Sequence, residues 1–191
     1  MQLRSCRLYL TPLVLALALS GCATVTNYTY KSSAPKSVAG KSAGVNVLPA
    51  VDRRDLPEPG VQGYVIDTMG GRYDTFRDPN NFMQVISDGL AEELKNNGYQ
   101  ITGDSKDLAV AMDVLETNCN VNPVNGIYKL RYTMKVRIQV TDRGEPAFEQ
   151  TYSSEYADTY NILNGPGVQY QKGMSDIFGQ AIADLNEYLK T

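Results

Sequence analysis

The sequence predicts an α+β fold, a two-layer sandwich in which two helices pack on one face of a mainly antiparallel sheet, in the order β-α-β-β-β-α. Three stretches carry that prediction. In the first, every even position from Tyr128 to Val140 is apolar (Tyr128, Leu130, Tyr132, Met134, Val136, Ile138, Val140) and the odd positions between them are polar. Successive strand side chains point to opposite faces, so this alternation describes a strand with one buried and one wet face. A parallel strand buried on both faces would instead read as a continuous apolar run. The other two stretches are the cover. Phe82, Val85, Ile86, Gly89, Leu90 and Leu94 share one helical face, as do Met174, Ile177, Phe178, Ala181, Ile182, Leu185, Tyr188 and Leu189.

The chain opens with Arg4 and Arg7 and then an apolar run, Leu8 to Leu19. That run has the length of a signal-peptide core and is too short to span a membrane. It ends in Leu19-Ser20-Gly21-Cys22, which resembles the lipobox of bacterial lipoproteins. There, small residues fit the signal peptidase, and the cysteine thiol receives fatty acyl chains such as palmitate and becomes the new first residue. An ordinary secretory signal with a chance cysteine, or a buried core helix, explains fewer of these features. The resemblance implies signal-peptidase recognition at Leu19, Ser20 and Gly21 and lipidation at Cys22. In lipoproteins an aspartate after the cysteine retains the protein at the inner membrane, so Ala23 implies the outer membrane, periplasmic face. Residues 1–21 are thus read as signal peptide, 22–43 as lipidated cysteine and flexible tether, and 44–191 as a periplasmic domain.

Removing residues 1–21 leaves 170 residues with 16 basic and 21 acidic side chains, a net charge of −5. That balance gives no support to a nucleic-acid role. Cys6 leaves with the signal and Cys22 is blocked, so Cys119 stands alone and no intramolecular disulfide forms. With no His to activate it, Cys119 reads as a packed strand residue. The tether is rich in Ser, Thr, Ala and Lys and reaches at most ~65–70 Å. Two apparent motifs in it fail on context. Gly40-Lys41-Ser42 has Pro35 where a phosphate loop needs its first glycine, and Ser33-Ala34-Pro35-Lys36 has no companion motif.

In order along the domain, Val45–Val51 is the first strand, followed by the charged cluster Asp52-Arg53-Arg54-Asp55 and the breakers Pro57, Pro59 and Gly60. Gly63–Ile66 and Arg72–Phe76 form a hairpin about Gly70-Gly71. Asp78-Pro79 caps the first helix, Gly89 on its apolar face suggests close approach to the sheet, and Asn97-Gly98 ends it with a left-handed residue. Tyr99–Thr102 is a short extended piece. From Leu108 to Val121 the apolar positions are even up to Val114 and odd from Leu115, a phase change that places a β-bulge near Val114-Leu115. Pro123–Gly126 turns the chain into the alternating strand. A three-residue loop, Arg143-Gly144-Glu145, then sets Asp142 opposite Pro146 and Val140 opposite Phe148.

The segment Leu90-Ala-Glu-Glu-Leu94-Lys-Asn-Asn-Gly98-Tyr99-Gln-Ile101, with the strands and helix after it, is similar to the YajG family of bacterial lipoproteins over residues 45–190. That resemblance implies an outer-membrane-anchored periplasmic domain with no established activity; no cofactor is expected.

An enzyme is disfavoured from the residues themselves. The chain has no His, hence no usual general base, triad or commonest metal ligand, and no Cys/Asp/Glu cluster has metal spacing. Asp52 and Asp55 flank Arg53 and Arg54 and read as a solvated, salt-linked turn. Two surfaces remain. Lys129, Arg131, Lys135 and Arg137 form a basic stripe that would meet an anionic lipid or glycan, although a solvated face neutralised by Glu149 and Glu155 is preferred. Tyr128, Tyr132, Tyr152 and Tyr156 would line a ligand pocket, although core rings with hydroxyls at the rim are preferred. The expectation is a noncatalytic envelope lipoprotein that binds another envelope protein, glycan or lipid as an accessory in envelope assembly or maintenance. The alternative is a carrier that holds lipid or glycan between sheet and helices; a deep apolar cavity there would favour it.

Overall fold

The computed structural model describes residues 24–25, 30–32, 44–56, 58–78, 81–103, 107–160 and 166–190. The elements in chain order are β1 (Thr24–Val25), β2 (Gly44–Val47), β3 (Val51–Asp52), β4 (Val61–Ile66), β5 (Arg72–Arg77), α1 (Phe82–Asn96), β6 (Gln100–Ile101), β7 (Leu108–Val124), β8 (Ile127–Asp142), β9 (Glu145–Thr159) and α2 (Gly167–Tyr188). They form the α+β sandwich that the sequence predicts. Both helices bury their apolar faces against the even-numbered side of β8, with Leu90 and Leu94 of α1 and Ile182 and Leu185 of α2 facing Ile138 and Val140.

The sheet is more mixed than expected. On one side β7 pairs antiparallel with β8 along its whole length. On the other it receives β2, β3 and β4 in succession, all parallel, with Val45 opposite Leu108, Val51 opposite Asp113 and Val65 opposite Val121. The expected first strand, Val45–Val51, is therefore two short ones. The sequence hid the parallel pairing because these strands are too short to show a two-sided apolar run, and α1 supplies the crossover that parallel strands need.

The bulge falls where the phase change puts it. Val114 pairs with Val136 and Glu116 with Lys135, leaving Leu115 as the extra residue, after which Thr117, Cys119 and Val121 take over the buried side. Both long hairpins, however, close with two residues. Asn125 (φ 52) and Gly126 (φ 78) join β7 to β8, so Pro123 lies within the strand, opposite Tyr128. Arg143 (φ 48) and Gly144 (φ 88) join β8 to β9, so Asp142 faces Glu145 rather than Pro146. Positive φ at both central residues is the turn whose twist matches two antiparallel strands. Val140 still faces Phe148, because an irregularity between Val140 and Thr141 restores the parity.

The first helix starts at Phe82 with Asn81 as its N-cap and no side-chain cap bond. Asp78 does not cap it, and Pro79 lies outside the described residues. The helix ends as read: Gly98 has φ 93, its N–H donates to Lys95 O, and Tyr99 N–H donates to Leu94 O. Gly89 makes room for Tyr30 and Phe178 rather than for the sheet, since a Cβ there would lie 2.9 Å from the Tyr30 ring.

Tyr30 also corrects the domain boundary. Within the segment read as tether, Thr24–Val25 pairs with Phe76–Arg77 of β5, and Tyr30 is buried with its ring edge-on to Phe178 at 5.4 Å. Its hydroxyl donates to Glu93 Oε2 at 3.0 Å, so the domain begins before residue 44.

Candidate functional site

A depression of about 430 Å³ is lined by Asp52, Arg54, Asp78 and the start of α1. Its floor is Arg54, whose side chain is only 3 % exposed. Nε donates to Asp52 Oδ1 at 2.8 Å and Nη2 to Asp52 Oδ2 at 2.7 Å and Asp78 Oδ2 at 2.6 Å. Nη1 donates to Asp78 Oδ1 at 3.2 Å and to the Thr117 hydroxyl at 2.6 Å, while the guanidinium lies 5.0 Å from the Phe82 ring centre. All five N–H donors of the guanidinium are thereby used. Nothing is left to hold an anionic ligand, so the cluster is a staple between the β3 segment, the entry to α1 and β7.

Electrostatics separate its two carboxylates. The hydrogen bonds from Arg54 hold Asp52 below the ordinary carboxylate range. Burial pushes Asp78 upward, against the pull of Arg54. Burial also disfavours the Arg54 charge, but Asp52 and Asp78 outweigh it and hold its proton more tightly than usual. The salt-linked reading of this region stands, yet the second carboxylate on Arg54 is Asp78, not Asp55, and Arg54 and Asp78 are buried while Asp52 stays at the surface. No sequence signal marks Asp78 and Thr117, because they reach Arg54 across 24 and 63 positions.

The tyrosines do not converge on a pocket. Tyr128 is exposed near a hairpin tip, and Tyr132 is fully buried with its ring centre 4.4 Å from that of Tyr170. Tyr152 is buried and donates to Asp184 Oδ2 at 2.7 Å; Tyr156 donates to Asp176 Oδ2 at 2.5 Å. The void described between the layers, lined by Leu90, Leu94, Val110, Ile138, Val140, Ala181, Ile182 and Leu185, is about 10 Å³. That is at most the room for one water.

The opposite sheet face carries the basic stripe, and its members have partners on it. Lys129 Nζ donates to the Thr159 hydroxyl at 3.0 Å. Arg131 meets Glu155 at 2.8 Å, Lys135 meets Glu116 at 3.5 Å, and Arg137 meets Asp113 and, at 4.0 Å, Glu149. Glu116 and Asp113 come from β7, a neighbour that the β8–β9 register alone does not supply. The Lys135–Glu116 pair is solvent-screened, so Lys135→Gln should leave the thermal unfolding midpoint within error of the parent's, whereas Arg137→Gln, which removes a partner of the mostly buried Asp113, should lower it.

Cys119 is fully buried and its thiol is pushed up to about 12 by that burial, the state of an inert packing residue. Among the described residues no group of three or more His, Cys, Asp or Glu is placed to hold a metal. Leu19, Ser20, Gly21 and Cys22 lie outside the described residues. At one edge of the sheet, β9 pairs among the described residues with β8 alone, leaving a fifteen-residue flank open.

No protein-family model matches the sequence, and no curated protein matches it significantly. Solved structures do. A Xanthomonas campestris protein described by the family DUF330 superposes with a TM-score of 0.56 at 11 % identity, covering 83 % of this chain and 92 % of that one. A hypothetical protein from Chlamydia trachomatis gives 0.51 at 11 % identity, covering 78 % and 98 %. A minor lipoprotein from Acinetobacter baumannii, at 19 % identity over 65 % and 91 %, gives 0.38, too low to carry an argument. At these identities the first two show a shared fold alone, and the YajG similarity stays a resemblance.

Proposed function

We propose that this chain is a noncatalytic lipoprotein, held by lipid on Cys22 at the periplasmic face of the outer membrane, whose domain binds another envelope component as an accessory in envelope assembly or maintenance. One observation carries the binding part: among the described residues the void between the layers is about 10 Å³, while β9 pairs on one side only. A filled core leaves no chamber for a carried lipid or glycan, and an open strand edge is a template for adding a partner's strand. A YajG-like accessory role is the finer form of this reading. A photo-crosslinking side chain at Thr151 or Ser153, both exposed on β9, should trap one specific envelope protein in living cells. The same group at Asn118 on β7 should not, and equal labelling at both would count against the edge. The anchor is tested separately. Cys22→Ser should abolish lipid-dependent processing and release the protein from outer-membrane fractions; unchanged processing and fractionation would refute it.

A further inference from the structure

Four of the nine exposed large apolar side chains among the described residues meet at one end of the molecule; Leu48, Val51, Ile101, Val168 and Leu189 are scattered elsewhere. Met69, at the β4–β5 corner, is 93 % exposed, and Val124, Ile127 and Tyr128 at the β7–β8 corner are exposed to between 37 % and 50 %. The two corners are neighbours. β4 runs parallel to β7 with Val65 opposite Val121, so Met69 and Asn125 each lie four residues beyond that pair. Neither corner is loose. Asp67 Oδ1 accepts from the backbone N–H of Met69 at 2.8 Å and of Gly71 at 2.7 Å, and Asn125-Gly126 is a tight positive-φ turn. Turns are normally polar, so well-formed turns carrying Met, Val, Ile and Tyr outward call for an apolar environment.

The N-terminal segment says which environment. β1 is parallel to β5, and β5 runs away from the Met69 corner, so the chain enters β1 from the side of that corner. Cys22 is two residues before Thr24, a reach of ~7 Å at most. Phe76, the partner of Thr24, is five residues from Gly71, ~17 Å along an extended strand. An acylated Cys22 can thus approach the corner to ~10 Å at the closest, a gap that its own acyl-glyceryl group can span beside a headgroup layer of ~5–7 Å. We propose that the Met69 and Val124–Tyr128 corners rest in the bilayer surface to which the chain is anchored, with the apolar side chains among the upper acyl chains and the Tyr128 ring at headgroup level. This rests on the lipoprotein reading and adds an orientation: the long strands stand away from the membrane, and the Arg143-Gly144 corner projects outward. The contact is apolar. Of the nearby cations, Arg72 is already engaged with the Tyr64 ring at 3.9 Å and Glu58 at 3.8 Å, and Lys129 donates to the Thr159 hydroxyl at 3.0 Å, so the apolar part of the contact should persist at high salt.

The full lipidated protein in vesicles of phosphatidylethanolamine and phosphatidylglycerol tests this. An environment-sensitive fluorophore is placed on Met69→Cys, Ile127→Cys or, at the far corner ~50 Å along β8, Glu145→Cys. Buried Cys119 escapes labelling. Lipids brominated on their acyl chains should quench positions 69 and 127 at low and high salt and leave 145 unchanged. Proteoliposomes that float and carry lipid on Cys22, yet show no difference between 69, 127 and 145, overturn the orientation while the anchor stands. Protein that neither floats nor carries lipid on Cys22 removes the anchor and the orientation with it.

Discussion

Replacing Arg54 by alanine is expected to destabilise the domain by ~3–5 kcal/mol at neutral pH, because it strands a charge in a buried site rather than deleting a surface contact. Asp78 is the group left behind. Its side chain is 9 % exposed, whereas Asp52 at 41 % can turn to water. The loss has a pH signature. In the parent, Asp52 titrates below its ordinary value, so its contribution is present above that value and fades as pH falls through the depressed one. In Arg54→Ala that contribution is gone, and the burial that already pushes Asp78 upward acts unopposed. The variant therefore regains stability as Asp78 takes up a proton, and the gap between the two proteins narrows as pH falls into the carboxylate range. Urea denaturation at neutral and acid pH checks both parts. A gap constant with pH would mean that Asp78 does not carry the cost, and adding Asp78→Asn to Arg54→Ala should recover much of the loss at neutral pH.

Ile182→Ala is the second large effect, expected at ~2–5 kcal/mol. Ile182 is 4 % exposed and already borders the small void between the layers, which the substitution enlarges rather than creates. Its walls are strand residues of β7 and β8 and helix residues of α1 and α2, tied by ladders and turns that limit collapse. The upper half of that range follows. A denaturation midpoint equal to the parent's would mean that α2 is not part of the core.

What the sequence made legible is local pattern. The alternation of β8, the bulge at Leu115, the stripe of α2 from Met174 to Leu185 and the Gly98 stop are all carried by neighbouring residues. Register survived even where a turn was misread: Val140 faces Phe148 although the loop is shorter than expected. The rest depended on distant segments. Nothing beside Asp78 reveals that Arg54 claims it from the helix end, nothing in a Ser/Lys-rich stretch marks Tyr30 for the core, and β2, β3 and β4 are too brief to declare their parallel partner. At the end of α2 the pattern overshot. Leu189 is exposed, and Tyr188 instead packs on Phe148 and donates to Asp142. As for the surfaces, the charged residues of β8 were legible one by one, but their pairing with β7 was not.

The arrangement around β7 also sets a timetable. β2, β3 and β4 are made first and each needs β7 as its neighbour, yet Val45 and Leu108 are 63 positions apart. At ~5–20 residues per second the early strands are synthesised on the order of 3–12 s before their template. Until then their apolar residues, and the face of α1 that rests on the same core, have nothing to cover them. The parallel half of the sheet therefore cannot close until β7, which follows α1, has been made.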